Sequence, residues 1–403
     1  MKILMISSFL PFPLLSGVHI RLYNLIKNLQ KEHEITLICE KRNNQTSEDI
    51  KEVEAICKKV ITVKRKKQWS LENILKTGVS KDPFLFKGHE NKEMQLLIQD
   101  ELVRERYDLI HVETSYVYQN LPAGKAGLPK VSIPVVLVEH NIEYLVYKRF
   151  ADRANALVRP LLYLDILKLE KKEKDIWQKV TKLVAVSNIE KKLMKRPDIA
   201  VVPNGVDTNN FKFRNLDSLP DEKKVLFIGD FKWIQNRDTL DFILTEIWPK
   251  VISKLDDYGK NIKVKLWIVG KNIPEQYKKM DNLENVIFDE KNSDETPVIF
   301  NKSYLLLAPF RVAGGTSYKI LEAMSSGTAV VTTSLGVEGL EAKNLTHVLS
   351  SESADGLAEN VCELMLDKSL YKRITLNARK FIEGSYDWKI ISEKLNDVYM
   401  SCL

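Results

Sequence analysis

The twenty residues APFRVAGGTSYKILEAMSSG, positions 308 to 327, carry the densest chemistry in the chain. An apolar run ends at Ala308, a loop with Gly314 and Gly315 follows, and a helical pattern opens near Thr316 or Ser317. Backbone amides at a helix N-terminus attract phosphate, and Lys319 in the first turn and Arg311 in the loop would add full positive charges. Glu322 lies three residues beyond Lys319 and so shares its helix face. A phosphate cradle, a cation and a carboxylate able to accept from ribose hydroxyls together suit a nucleotide diphosphate. The plainer alternative is a Gly-Gly turn followed by a surface ion pair worth about 0.2–0.5 kcal/mol.

A second candidate is His140, directly after the apolar run 134 to 138. At a strand end it can face a ligand, or it can simply bond a backbone carbonyl. Of the other five histidines, His19 and His111 also border predicted strand-end loops, whereas His33, His89 and His347 do not. The chain has no G-x-G-x-x-G, P-loop G-K-[ST], H-E-x-x-H or G-x-S-x-G, which removes the usual signals of dinucleotide oxidoreductases, ATPases, zinc proteases and serine hydrolases. There is no D-x-D to clamp a metal on a diphosphate, so the expectation is a reaction with no metal and no cofactor.

The elements that must position these groups follow from the alternation of apolar β-rich runs with helix-period segments, an α/β pattern of parallel sheets covered by helices. In the first half, strands are expected at 2 to 7, 35 to 39, 60 to 63, 108 to 112, 134 to 138, 182 to 186 and 199 to 202. Helix 19 to 30 carries Ile20, Tyr23 and Ile26 on neighbouring turns, with Leu22, Leu25 and Leu29 widening the stripe. A long helical region near 155 to 178 sets Leu161, Leu164 and Leu167 beside Lys168, Lys171, Lys172 and Lys174. After a polar, Pro-containing linker at 211 to 222, strands are expected again at 224 to 228, 264 to 269, 285 to 288, 303 to 308 and 328 to 332, with helices near 238 to 254, 294 to 301 and 317 to 326. Helix 386 to 402, with Trp388, Ile391, Leu395 and Tyr399 at near-helical spacing, needs an apolar surface to lie on. Ligands of open α/β sheets bind at strand C-termini, so the active site is expected in a cleft between two such domains.

Composition agrees with 403 residues forming two or three domains of about 150 residues each. At 44% hydrophobic and 29% charged the chain is an ordinary globular protein, not collagen-like or of low complexity. Cys39, Cys57, Cys362 and Cys402 are far apart with no C-x-x-C, which fits a reducing cytoplasm better than a disulfide framework. The net +7 is uneven: residues 1 to 220 hold 37 basic and 27 acidic side chains, residues 221 to 403 hold 24 and 27. The basic front half favours an anionic partner. The apolar start, interrupted by Pro11 and Pro13, reads as a buried first strand rather than a signal peptide, and no run reaches the roughly 18 to 20 apolar residues of a membrane span.

The 308 to 327 stretch resembles the donor segment of glycosyltransferase family 4, in particular a subgroup with a GGTxxKILEA-type motif. PFPLLSGVHIRLYNL at 11 to 25, VEHNIEY at 138 to 144, LVAVSNIE at 183 to 190, VPNGVD at 202 to 207, GDFKWIQNRD at 229 to 238 and the closing YDWKIISEKLNDVY agree, in order, along nearly the whole chain. The resemblance implies two Rossmann-like domains of the GT-B type. These are an acceptor-binding domain at 1 to 215, a nucleotide-sugar-binding domain at 216 to 385, and a last helix, 386 to 403, returning to the first.

The same resemblance implies a retaining glycosyltransferase that moves a sugar from a nucleotide-diphosphate sugar to a glycan or lipid-linked acceptor in envelope polysaccharide or glycolipid synthesis. It would be cytoplasmic or peripheral on the inner face of the membrane. Glu322 matches the second glutamate of the family's Glu-x7-Glu motif, expected on the ribose, and Lys319 and Arg311 match its basic positions. Gly315, Thr316 and Ser317 match the loop at the donor phosphates, Gly17 the first-strand loop, and His140 a histidine beside the transferred sugar. Ser16, His19 and Asn141 would lie on the acceptor side. Three positions depart from the pattern: Gly314 stands where the first glutamate would be, and Asp230 and Gln235 where an Arg and a Lys would be. The departures keep two alternatives open: a non-catalytic nucleotide-sugar or lipid-binding relative, and a nucleotide-sugar epimerase or hydrolase. The run Lys64-Arg65-Lys66-Lys67-Gln68-Trp69 and the basic helix 168 to 174 suggest docking on an anionic membrane surface. No nucleic-acid-binding motif accompanies these charges, so nucleic acid is not an expected partner.

Overall fold

The computed structural model describes the chain from Met1 to Leu403 except for residues 67, 69, 71–72, 74–76, 79, 123–132, 153, 220–221, 260–261, 281–284, 293 and 312–315. It divides into two units, Met1–Pro203 with Ile391–Leu403, and Asn204–Ile390.

The first unit is built on β1 (Lys2–Ser7), β2 (Glu34–Lys41), β3 (Lys59–Lys64), β4 (Leu109–Glu113), β5 (Val135–Glu139), β6 (Lys182–Ala185) and β7 (Ala200–Val201), all parallel in the order β3-β2-β1-β4-β5-β6-β7. A parallel sheet is covered on both faces, which is why β1 and β5 carry the unbroken apolar runs ILMI and VVLV instead of alternating ones. The order reverses between β1 and β4, so the chain leaves those two strand ends in opposite directions and opens a crevice there. Helix Trp388–Met400 buries Ile391, Leu395 and Tyr399 completely, and Asn396 accepts from His33 Nε2 at 2.8 Å.

The second unit repeats the plan with β8 (Lys223–Ile228), β9 (Val264–Val269), β10 (Val286–Asp289), β11 (Leu305–Ala308), β12 (Ala329–Thr332) and β13 (Leu349–Ser350) in the order β10-β9-β8-β11-β12-β13. Its switch point lies between β8 and β11, where Leu305 pairs with Val225 and Leu306 with Leu226. Two glycines join the ends of β8 and β9. Gly270 has φ +141, and a Cβ there would lie 1.8 Å from the Gly229 carbonyl oxygen; a Cβ on Gly229 would meet the Asn236 amide at 2.7 Å.

Both sheets match the sequence reading to within one or two residues per strand, apart from β13, whose two residues carry no readable periodicity. Helix 238 to 254 instead starts at Ile234, passes through a π segment at Ile243–Ile247 and continues to Asp257. Pro249 accounts for the break, because it has no N–H to give the preceding turn. The 211 to 222 stretch is not a free linker. Phe211 is buried in the core of the second unit, and the Arg214 guanidinium donates to the Ser303 carbonyl at 2.6 Å and also to the Phe300 carbonyl. Helix Arg159–Trp177 turns Ile166, Leu169, Ile176 and Trp177 inward and leaves Leu161, Leu164 and Leu167 in solvent. Periodicity reveals an apolar stripe; which stripe meets the core is decided by tertiary packing.

Candidate functional site

In the second unit, helix Tyr318–Ser326 starts behind Ser317 and closes on Gly327, whose φ of +73 is left-handed. Its first turn carries Lys319, whose Nζ donates to Asn236 Oδ1 at 3.1 Å and lies 4.8 Å from the centre of the Phe227 ring and 5.1 Å from that of Phe310. Asn236 is aimed by its own amide, which donates to the Asp230 carbonyl at 2.8 Å. Phe227 lies on β8 and Phe310 just after β11, so the two strands of the switch point wall the ammonium between aromatic faces. Burial lowers the Lys319 pKa to about 7 against the opposing charge of Glu322, and raises that of Glu322 to about 8 against the charge of Lys319. An amine poised to take up a proton when an anion arrives, beside a helix N-terminus, is suited to a diphosphate.

The other positions singled out in this unit fare differently. Arg311 is forked on Asp238, with Nε and Nη2 at 3.2 and 3.1 Å from its carboxylate, and is stacked on Phe242 at 4.4 Å. The structure therefore commits Arg311 to an ion pair and leaves Lys319 as the cation walled in at the switch point. Thr316 is buried, its hydroxyl donating to the Gly339 carbonyl at 3.4 Å, and Ser317 is half-buried at the helix start. Gly314 and Gly315 lie outside the described residues. Asp230 organises its loop by accepting from the Lys232 amide at 3.0 Å and Asn272 Nδ2 at 2.7 Å; Gln235 sits in the first turn of the helix that carries Asn236.

In the first unit, β4 ends at Glu113 and β5 at Glu139, with His140 next. Glu113 is fully buried between two histidines: Oε1 is 2.7 Å from His111 Nε2, and Oε2 contacts His140 Nε2. Tyr399 extends the chain, its hydroxyl 2.6 Å from His111 Nδ1. Burial alone would raise the Glu113 pKa, but the imidazoles of His140 and His111 outweigh it and hold the carboxyl well below its usual range. His140 thus turns Nε2 toward a buried carboxylate. Thr114, the next residue, has φ +76, a conformation that costs a β-branched residue about 1–3 kcal/mol and that collects at functional sites.

At the same end of this sheet, helix Gly17–Leu29 follows the loop after β1. Ser16 does not cap it through its side chain; its hydroxyl pairs with His19 Nδ1 at 2.6 Å. Burial, with the charges of Arg42 and Arg65, lowers His19 to about 4, so at neutral pH it is an uncharged imidazole. Asn141 is exposed beside Glu143. Beyond the β3 end a cavity of about 690 Å³ is lined by Lys64, Arg65, Lys66, Lys87 and Lys92 against Glu90 and Glu93. From the basic run expected to meet a membrane, Lys67 and Trp69 lie outside the described residues.

Three further carboxyls crowd at the start of helix Glu143–Asp152. Glu139 accepts from Trp177 Nε1 at 2.9 Å, and Glu173 from the amides of Glu143 and Tyr144 at 3.1 and 2.9 Å. Burial raises Glu139 to about 8 and Glu143 to about 7, and raises Glu173 well above its ordinary value with help from the Glu139 charge. The folded state then binds protons that the unfolded chain has released, so their contribution weakens as pH rises from about 4.5 to about 8. Glu139→Gln is accordingly expected to flatten the fall in melting temperature between pH 5.5 and 8.5. Parallel thermal melts check this, and an unchanged slope would assign the fall to other groups.

Comparison with known proteins adds the identity. The profile described as Glycosyltransferase Family 4 matches residues 15–210, and the one described as Glycosyl transferases group 1 matches residues 222–367. The chain is a glycosyltransferase. An uncharacterised 44.6 kDa protein in the cps region of Klebsiella pneumoniae is 25% identical over 96% of this chain and 97% of its own length. Among solved structures, sucrose-phosphate synthase from Thermosynechococcus elongatus aligns over 100% of this chain and 99% of its own, with TM-score 0.67 and 16% identity. HepE from Anabaena, solved with UDP-glucose, aligns over 100% of both chains with TM-score 0.61 and 15% identity. These likenesses show a GT-B fold for this glycosyltransferase.

Several of its site residues escaped sequence reasoning. Asn236 lies 83 positions from Lys319 and meets it only through the β8–β11 junction, although it stands inside the quoted GDFKWIQNRD segment. Phe227 reads as strand core, and Phe310 falls in the loop after the apolar run that ends at Ala308. Glu113 and Tyr399 had no signal beyond strand-end and closing-helix position, and His111 was visible only as a strand-end histidine.

Proposed function

We propose that this glycosyltransferase moves a sugar from a nucleotide-diphosphate sugar to a glycan or lipid-linked acceptor, with retention of anomeric configuration, on the cytoplasmic side during envelope polysaccharide synthesis. The observation that carries the donor class is Lys319 between Phe227 and Phe310 at the N-terminus of helix Tyr318–Ser326. A departing diphosphate gains negative charge, and a cation with first-turn amides is what stabilises it. Glu322, one turn along, would accept from the ribose hydroxyls. Uridine diphosphate sugars are the first donors to try, since HepE, of similar fold, was solved with UDP-glucose. The cps-region relative supports a polysaccharide product.

Retention fits the carboxylate inventory of the first unit. Glu113 has both oxygens turned to histidines and Glu139 is buried on Trp177 and the Ser115 amide, so neither is offered as a base for inverting attack. In front-face transfer the leaving phosphate takes the acceptor proton, and His140 with Ser16 and His19 would orient the sugar. The basic cavity beyond β3 favours an acceptor that carries negative charge.

The test is titration calorimetry with UDP-glucose, UDP-galactose and UDP-N-acetylglucosamine, and with GDP and ADP sugars, against wild type, Lys319→Ala and Glu322→Ala. One donor is expected to bind wild type and to lose affinity in both variants. Because an anion beside Lys319 raises its pKa above about 7, the complex holds a proton that the empty site has released at higher pH. Donor affinity should stay level below pH 7 and fall above it by up to about tenfold per unit. Binding without sugar transfer to any acceptor would favour the non-catalytic reading, and donor conversion alone an epimerase or hydrolase.

A further inference from the structure

Helices Glu143–Asp152 and Arg159–Trp177 pack against each other and end in a tip whose outer surface is apolar. Phe150 is 64% exposed, Leu157 86%, Leu161 69%, Leu164 59% and Leu167 60%. Leu161 and Leu164 lie one turn apart on helix Arg159–Trp177, Leu167 continues the stripe a turn further, and Leu157 stands in the turn just before the helix start. Scattered surface leucines need no explanation, but a contiguous stripe facing solvent does. The opposite stripe, Ile166, Leu169, Ile176 and Trp177, already fills the core, so the long helix is apolar on two faces and only one is covered.

The charges around the stripe say what covers the other. Lys148, Arg149, Arg159 and Lys171 are exposed at its border. The nearby acids are engaged within the protein: Asp152 accepts from the Tyr163 hydroxyl, Asp165 from the Phe84 amide at 3.0 Å, and Glu170 from Lys174. Lys168 and Lys172, expected from the sequence to face a membrane, are instead spent on the Thr77 and Ser80 carbonyls and on Asp82. An apolar ridge fringed by Lys148, Arg149 and Arg159 has the composition of an interfacial helix. A second copy of the chain would bring the same cations face to face in a two-fold contact. No helix among the described residues is long and apolar enough to cross a bilayer, so the tip would lie on its surface.

We propose that this helical tip inserts its leucine ridge into the headgroup region of a bilayer carrying anionic lipid, with Lys148, Arg149 and Arg159 on the lipid phosphates. The surface would hold the enzyme where a lipid-linked acceptor is presented, but its existence does not depend on the reaction assigned above. Flotation with phosphatidylglycerol–phosphatidylcholine vesicles, and with phosphatidylcholine alone, tests it on the full chain. Wild type should float with the mixed vesicles, weakly with neutral ones, and less as salt rises. Leu157→Ser/Leu161→Ser, at positions too exposed to disturb folding, should weaken partitioning at least tenfold, and Arg149→Glu/Arg159→Glu should abolish the preference for anionic lipid. Both should leave donor affinity by calorimetry as in wild type, which separates this surface from the donor site. Wild type that stays with the unbound fraction, or a serine variant that floats equally well, overturns the proposal. So does light scattering that finds a wild-type dimer lost in the serine variant.

Discussion

Lys319→Ala is expected to lower kcat by about 10²–10³-fold, the usual cost of removing one preorganised group that stabilises transition-state charge. The effect should fall on kcat more than on KM, because the charge on the leaving diphosphate grows as the glycosidic bond breaks and the ammonium matters most at that moment. Lys319→Arg should not rescue it. Phe227 and Phe310 stand 4.8 and 5.1 Å from the ammonium, and a guanidinium could not occupy that space without displacing a ring. Asn236→Ala makes the finer test. Asn236 reaches the reaction only through Lys319 and the Asp230 carbonyl, so its loss should shift the pH at which donor affinity begins to fall while leaving the catalytic cation in place. Steady-state kinetics on the donor found by calorimetry would decide. A Lys319→Ala enzyme with unchanged kcat would move the phosphate cation elsewhere, and Arg311, freed from Asp238, would be the next candidate.

The chemistry visible in the sequence was the chemistry that is local. Lys319 and Glu322 are three residues apart on one helix, and Gly-Gly before a helix start is a local signal, so both could be read from spacing. The sheets were legible for a related reason: a strand buried on both faces has little choice but to be apolar, as the ILMI of β1 and the LLLA of β11 are. What stayed hidden depends on long-range pairing. The Asn236 to Lys319 bond needs β8 and β11 to be neighbours, and the Tyr399 to His111 contact joins residues 288 positions apart. The helix Arg159–Trp177 shows a third kind of limit. Its two apolar stripes are equal as patterns, and only the packed structure tells that Leu169 and Trp177 are inside and Leu161 and Leu164 outside.

The hidden histidine–carboxylate chain carries the second large effect. Glu113→Gln is expected to destabilise the protein by about 3 kcal/mol, the cost of taking the charged acceptor away from buried polar partners. The amide is isosteric, so no cavity forms; what is lost is the charge that faces His111 on one oxygen and His140 on the other. The sign can be checked by pH. A carboxyl held far below its unfolded value contributes stability above about pH 4.5, and that contribution is lost only as the medium turns strongly acidic. The wild-type advantage over Glu113→Gln should therefore be full at neutral pH and shrink on acidification, opposite in direction to the change expected for Glu139→Gln. His140→Ala separates structure from function at the same carboxylate. His140 stands at the end of β5 while Tyr399 still ties His111 from the other side, so its loss should cost less stability than Glu113→Gln but far more turnover. Denaturant unfolding and kinetics on the three proteins measure both quantities. Should Glu113→Gln unfold at the wild-type midpoint, the carboxylate is not holding the two histidines by charge. The strained Thr114 beside it would then have to be accounted for by the shape of the β4 end alone.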